Sequence, residues 1–292
     1  VPITTLILAD LVVTLQVVDA ALLVGGVVAL VGLAVWLARR GRWRNPLADL
    51  PTPRSGPHGL SILAVVLAYV ALQQAALSLV ERPAGSSDSE PTPGSVAWHE
   101  IHSLDTAVRA LLVPLMVAFM RATDRPRAVR LRRPLVSAVA VLLALLPVTA
   151  CQAELGGIVW RWFHPGQPPP LHAVLRALGS SEWGRWGTVE LLVGALLVAP
   201  LAEELFFRGV VLGGLCYHFG HSWLAITVSA LAFGLVHTQP QDVLPLTTMG
   251  IALGVLRLRY GRIWPCVVVH VLFNARTMTL VLLAPELLEK SG

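Results

Sequence analysis

The sequence predicts an all-α fold, a polytopic transmembrane helical bundle of about eight spans, and three observations predict it. Apolar residues make up 55% of the 292 and charged residues 13%, with a mean hydropathy of +0.70. An average soluble domain carries about 25% charged residues, so a soluble core cannot absorb this composition. The apolar residues fall into separate runs near the ~20 residues that cross a bilayer. The basic residues, finally, collect in alternate loops between those runs.

Punctuation by Gly, Pro and charge places the spans near residues 17–38, 59–80, 104–120, 135–150, 188–212, 222–238, 243–257 and 263–284. Residues 1–16 are apolar but broken by Asp10, and either extend the first span or lie along the interface. Asp10 and Asp19 interrupt the first run and no basic segment precedes it, so no cleavable signal peptide is expected. Five Arg residues (39, 40, 42, 44, 54) follow the first span, six (121, 125, 127, 130, 132, 133) the third and three (257, 259, 262) the seventh. These fourteen of the 22 Lys and Arg residues compare with five (Arg82, Arg161, Arg176, Arg185, Lys290) in the intervening segments. The positive-inside rule then puts the three Arg-rich loops in the cytoplasm and both termini outside. Position also accounts for the net charge of +5 without a nucleic-acid partner.

Two non-cytoplasmic segments stand apart. Residues 82–98 are rich in Pro, Gly and Ser and read as a flexible loop. Residues 152–187 carry Trp160, Trp162, Phe163, Trp183 and Trp186 around a Pro-rich turn and a short helical stretch, Leu171 to Leu178. Aromatics at this density prefer the headgroup layer, so the segment reads as an interfacial cap. Cys151, Cys216 and Cys266 lie in or beside apolar runs without CxxC spacing and form no disulfide or metal framework.

Charge inside a span costs about 2.5–3.5 kcal/mol per residue at a helix centre on insertion scales, so it marks function by default. The fifth span carries Glu203, Glu204 and Arg208 in APLAEELFFRGVV. Glu204 and Arg208 are four apart and neutralise each other as a structural ion pair. Glu203 lies about 100° around the helix and needs another partner. Span six ends in AFGLVHTQP, with Phe233 and His237 on one face; span eight contains VVVHVLFNA, with His270 and Asn274 on one face. A buried Glu beside neutral His side chains can take a proton from water, and a His with an Asn amide can donate to a developing oxyanion.

These three motifs, EExxxR, FxxxH and HxxxN in this order, resemble the CPBP family of intramembrane proteases, also called Abi, which includes the CAAX prenyl proteases and bacteriocin-processing proteins. Each motif alone is weak. Taken singly, His237 and His270 read as core histidines and Asn274 as interhelical packing glue. The resemblance covers roughly residues 135–285, read as the protease core. Residues 1–134 are N-terminal transmembrane helices of about three spans, and 286–292 form a tail. It implies an intramembrane endopeptidase in which Glu203, helped by His237, activates water while His270 and Asn274 stabilise the oxyanion. Glu204, Arg208 and Phe233 support the site. Metal-free hydrolysis is favoured; in the other reading, a divalent metal such as zinc is held by Glu203, His237 and His270. The implied partners are the lipid bilayer and a protein or peptide substrate, lipidated or not, in a bacterial cell membrane.

The competing functions are a proton-coupled transporter and a noncatalytic family member serving as scaffold or bacteriocin-immunity protein. No inverted repeat supports the first, and the filled motif positions disfavour the second. His99, Glu100, His102 and Asp105 read as a solvated interface cluster in a loop leading into span three, and Asp105 with Arg109 as a neutralised pair. Gly250 and Gly254 carry the spacing of close helix packing. Reporter fusions after Arg44, Arg127 and Arg259 should read cytoplasmic, and fusions near Ser87 and Pro169 external; a cytoplasmic signal at Pro169 would contradict the eight-span topology.

Overall fold

A computed structural model of the chain describes residues 59–78, 95–123, 134–179, 184–237 and 239–283, with Leu50 and isolated positions between Val17 and Arg39. Among these residues there are helices and no strands. In chain order, α1 spans Gly59–Leu77, α2 Val96–Thr123, α3 Pro134–Phe163 and α4 Ala173–Gly179. One rod follows: α5 (Gly184–Val193), a π-helical segment (Gly194–Val198), α6 (Ala199–Glu204), a second π segment (Leu205–Val211) and α7 (Leu212–Phe219). Then come α8 (Ser222–Leu235), α9 (Val243–Tyr260) and α10 (Trp264–Leu283). Helices α2, α3 and α10 are long and apolar enough to cross a membrane. The chain is an integral membrane helical bundle. The Arg-rich loop after the first expected span, that after the third, the 82–98 loop and the 286–292 tail lie wholly or mostly outside the described residues, as does much of the 17–38 span.

Local sequence explains where the elements stop. Gly220 and Gly261 adopt left-handed conformations, each at φ 64°, and close α7 and α9 with backbone N–H groups that donate hydrogen bonds to Cys216 O and Arg257 O. Several boundaries differ from the sequence expectation: the rod runs on to Phe219 rather than 212, α8 stops at Leu235 rather than 238, and two more have a clear local cause. Helix α2 begins at Val96, because the Ser95 hydroxyl accepts the Trp98 amide at 3.3 Å and caps it. His99 and His102 are therefore on a helix rather than in a loop. Helix α3 runs to Phe163, so the first part of the expected interfacial cap continues the span, and Pro165 with Gly166 (φ 78°) ends it. Trp162, Phe163 and Trp186 nonetheless point outward, 80%, 76% and 85% exposed, as headgroup-level aromatics do.

The core gathers on α8 and α9. Phe233 on α8 is fully buried and packs with Phe207, Met249, Leu253, Leu256, Cys266 and Val269. The two helices approach closely because Gly250 and Gly254 lack side chains: a Cβ on either would press against Ala230 or Ile226 at 2.8–3.0 Å. Helix α8 has only 14 residues, about 21 Å of rise, so it falls short of a full hydrocarbon span.

Candidate active site

The rod from Gly184 to Phe219 carries the acidic pair, and its two π segments decide what surrounds it. Residues through both junctions keep right-handed helical dihedrals, so the rod does not break; it widens. Pro200 near the start of α6 supplies no amide hydrogen, which favours an altered bonding pattern there. A π turn frees carbonyls from the α-helical ladder. Three are taken up from neighbouring helices: Asn274 Nδ2 donates to Ala195 O at 3.1 Å, Ser229 Oγ to Phe207 O at 3.2 Å and Arg257 Nε to Arg208 O at 3.3 Å. The α-helical turn bearing Glu203 and Glu204 is thus pinned on both sides by α8, α9 and α10.

Glu204 and Arg208 are buried, with Arg208 Nη1 donating to Glu204 Oε1 at 2.9 Å. The same oxygen lies 2.8 Å from His270 Nδ1. Because Glu204 Oε1 already accepts from the guanidinium, the structure is read with His270 as the donor to it through Nδ1–H. That fixes the imidazole orientation and turns Nε2 toward the site. His237 is set the same way: its Nδ1 lies 2.8 Å from Phe233 O, an atom that can only accept. Phe233 serves as a pedestal, with the Arg208 guanidinium 4.4 Å from its ring centroid and edge-on contacts to His237 at 4.9 Å and His270 at 5.8 Å.

Both Nε2 atoms face Glu203. His270 Nε2 is 3.8 Å and His237 Nε2 4.0 Å from Glu203 Oε2, too long for direct hydrogen bonds and short enough for one small species to bridge them. His237 lies in the turn just after α8, not within the helix as the expected span had it, and His270 lies in the second turn of α10; the packing brings both to one carboxylate. The Glu203 side chain is 17% exposed, whereas that of Glu204 is 0% exposed. The outer carboxylate can be reached and the inner one cannot.

The partner that Glu203 requires is Arg109 on α2, whose Nη1 donates to Glu203 Oε1 at 2.9 Å. Arg109 Nε also donates to Asp105 Oδ2 at 2.7 Å, and Tyr69 on α1 donates to Asp105 Oδ1 at 3.2 Å. The sequence reading found the Asp105 and Arg109 pair but missed its connection to Glu203. The sole signal was Arg109 itself, a cation on a span with only one near neighbour to neutralise it. His99, partly exposed as expected, also has a partner: its Nε2 pairs with Glu190 Oε2 on α5 at 3.2 Å, while Trp98 stacks on His102.

His172 is a second residue the sequence reading passed over. It lies in the connection before α4, where burial and then neighbouring His237 lower its pKa to about 4, while Glu203 opposes the shift. His172 therefore borders the site as a neutral imidazole. The connection is tied to the turn after α8 by Gln241 Nε2, which donates to Pro170 O at 2.5 Å.

Residues 185–276 match the family described as type II CAAX prenyl endopeptidase Rce1-like. That segment is similar to the Rce1-like family. It contains all seven motif residues from Glu203 to Asn274 and excludes Tyr69, Asp105, Arg109 and His172. The chain is also 31% identical over 84 residues to the Bacillus subtilis (strain 168) protein named "Putative membrane peptidase YdiL". That match covers 29% of this chain and 34% of the relative, so the chain spans about a third of that protein's length. No solved structure matches the chain.

The Rce1-like segment depends on Glu204 for two things, a partner for Arg208 and the orientation of His270. Glu204→Gln should strand a buried guanidinium, at a cost of about 3–5 kcal/mol, and release the imidazole. Thermal unfolding in detergent should show a clear loss of stability, whereas Glu203→Gln should unfold near the wild-type temperature. Equal stability of Glu204→Gln and wild type would contradict this assignment.

Proposed function

We propose that the chain is an intramembrane endopeptidase, multi-pass in a bacterial cell membrane, that hydrolyses peptide bonds of membrane-associated or lipidated protein and peptide substrates. The observation that carries the reading is the convergence of Glu203 Oε2 with two Nε2 atoms whose Nδ1 partners are already committed to oxygen. Such a group can hold and deprotonate one water. The match to a family described as endopeptidases supports the reaction class.

In this mechanism a water lies between Glu203 Oε2 and His237 Nε2, both of which accept from it. Glu203 takes one proton as the water oxygen attacks the scissile carbonyl. The oxyanion that forms receives hydrogen bonds from His270 and Asn274. For His270 this requires a proton on Nε2 as well as on Nδ1, hence an imidazolium. Asn274, held on Ala195 O by one amide hydrogen, retains a second to donate. Collapse of the intermediate passes the proton from Glu203 to the leaving amine and breaks the C–N bond.

Among the described residues no group of three His, Cys, Asp or Glu side chains is gathered as a metal site. The donor set of His237, His270 and Glu203 is nevertheless zinc-like in kind, with each Nδ1 anchored as in metal-binding histidines. A divalent cation held by these residues would polarise water and lower its pKa.

Cells expressing wild type or Glu203→Gln should differ in their membrane-protein termini by mass spectrometry, with new termini in the wild type alone. On the peptide so identified, Asn274→Ala should lower kcat on the order of 10²–10³-fold with little change in KM. Activity that survives exhaustive chelation supports glutamate-activated water, and rescue by added zinc supports the metal. Identical termini in the two cell populations would overturn the protease reading.

A further inference from the structure

The charged group on α2 lies outside the Rce1-like segment, yet it reaches the proposed base. Arg109 divides its guanidinium between two carboxylates, with Nε on Asp105 Oδ2 at 2.7 Å and Nη1 on Glu203 Oε1 at 2.9 Å. Asp105 is held in turn by the Tyr69 hydroxyl from α1. The resulting chain of contacts crosses three elements, from α1 through α2 to α6. Glu203 Oε1 is occupied by Arg109, and Oε2 is the oxygen that faces His237 and His270.

We propose that Arg109 is a positioning residue for hydrolysis, and that Asp105 and Tyr69 hold it in register. It fixes the carboxylate plane of Glu203, so that one oxygen is bound and the other is aimed at the two imidazoles. The inference rests on the protease reading given above. The chemistry calls for arginine. A planar guanidinium presents donors on separate edges in a fixed fork, so two carboxylates are served at once and their relative placement is set. A lysine ammonium is a compact charge on a flexible stem and can neutralise Glu203 without orienting it. Arg208 pairs instead with Glu204, beneath the site.

A residue that only packs α2 against α6 would affect folding, and one that binds substrate would affect KM. A positioning residue acts through Glu203 in the transition state and so affects kcat. The experiment uses the full chain in lipid nanodiscs, with the peptide identified from the membrane-protein termini and rates expressed per folded protein. Arg109→Gln is expected to lower kcat on the order of 10²-fold, with KM changed less than about threefold. Arg109→Lys should fall between the two. Arg109→Ala should regain about tenfold in rate with added guanidinium, which fills the removed fork. Should Arg109→Gln fold poorly, Asp105→Asn combined with Arg109→Gln removes the two charges together and should show the same loss in kcat. Wild-type kcat in either variant, a change confined to KM, or a loss that merely follows the folded fraction would overturn the inference. Glu203→Gln measured in parallel separates the failures. An inactive Glu203→Gln beside a fully active Arg109→Gln rejects the role of Arg109 alone, whereas an active Glu203→Gln rejects the protease reading itself.

Discussion

Ion pairing in an apolar interior is the constraint on which the rest of this structure depends. A carboxylate deep in a bundle is tolerated only with a cation or several donors beside it. Two adjacent carboxylates need separate partners, because they point about 100° apart on the helix. Arg208 answers Glu204 from within the same rod, and Arg109 answers Glu203 from α2. The division makes the two glutamates unlike. Glu204 is sealed and shared between Arg208 and His270, which suits a structural anchor. Glu203 keeps one oxygen directed at the imidazoles and remains partly accessible, which suits a reagent.

The backbone carries the same logic. Two π segments bracket the acidic turn, and their freed carbonyls are bound by Asn274, Ser229 and Arg257 from three other helices. Each of these bonds ties a helix that carries site residues, or packs against one, to the rod that carries the glutamates. Phe233 completes the arrangement by touching Arg208, His237 and His270 with one ring. Position at the site is therefore set by backbone acceptors and an aromatic pedestal rather than by the charges alone.

The helical class was legible because apolar runs and Gly or Pro punctuation are local signals. Gly261 ended α9 three residues past the expected 257, whereas the rod ran through α7 to Phe219, seven residues past the expected 212, before Gly220 closed it. The start of α2 and the end of α3 were less legible. A Ser95 cap preceded a polar stretch that reads as loop, and α3 continued through residues of mixed polarity. The motif residues were legible as three short spacings, and their facing atoms followed once α6, α8 and α10 were packed together. Arg109 was not legible. It lies 94 positions before Glu203, on a helix whose sequence offered a nearer and sufficient explanation in Asp105. His172 was hidden for a related reason, since a Pro-rich turn gives no sign of what it folds against. The π segments left no signal beyond Pro200.

The most direct test of the account is an experimental structure of the Glu203→Gln variant with a peptide substrate bound in a lipid nanodisc. The account predicts the scissile carbonyl carbon within about 3.5 Å of a water held between the side chain of residue 203 and His237 Nε2, its oxygen toward His270 and Asn274, and Arg109 against the side chain of residue 203. A peptide bound away from these residues, or a residue 203 side chain turned from both imidazoles toward lipid, would contradict it.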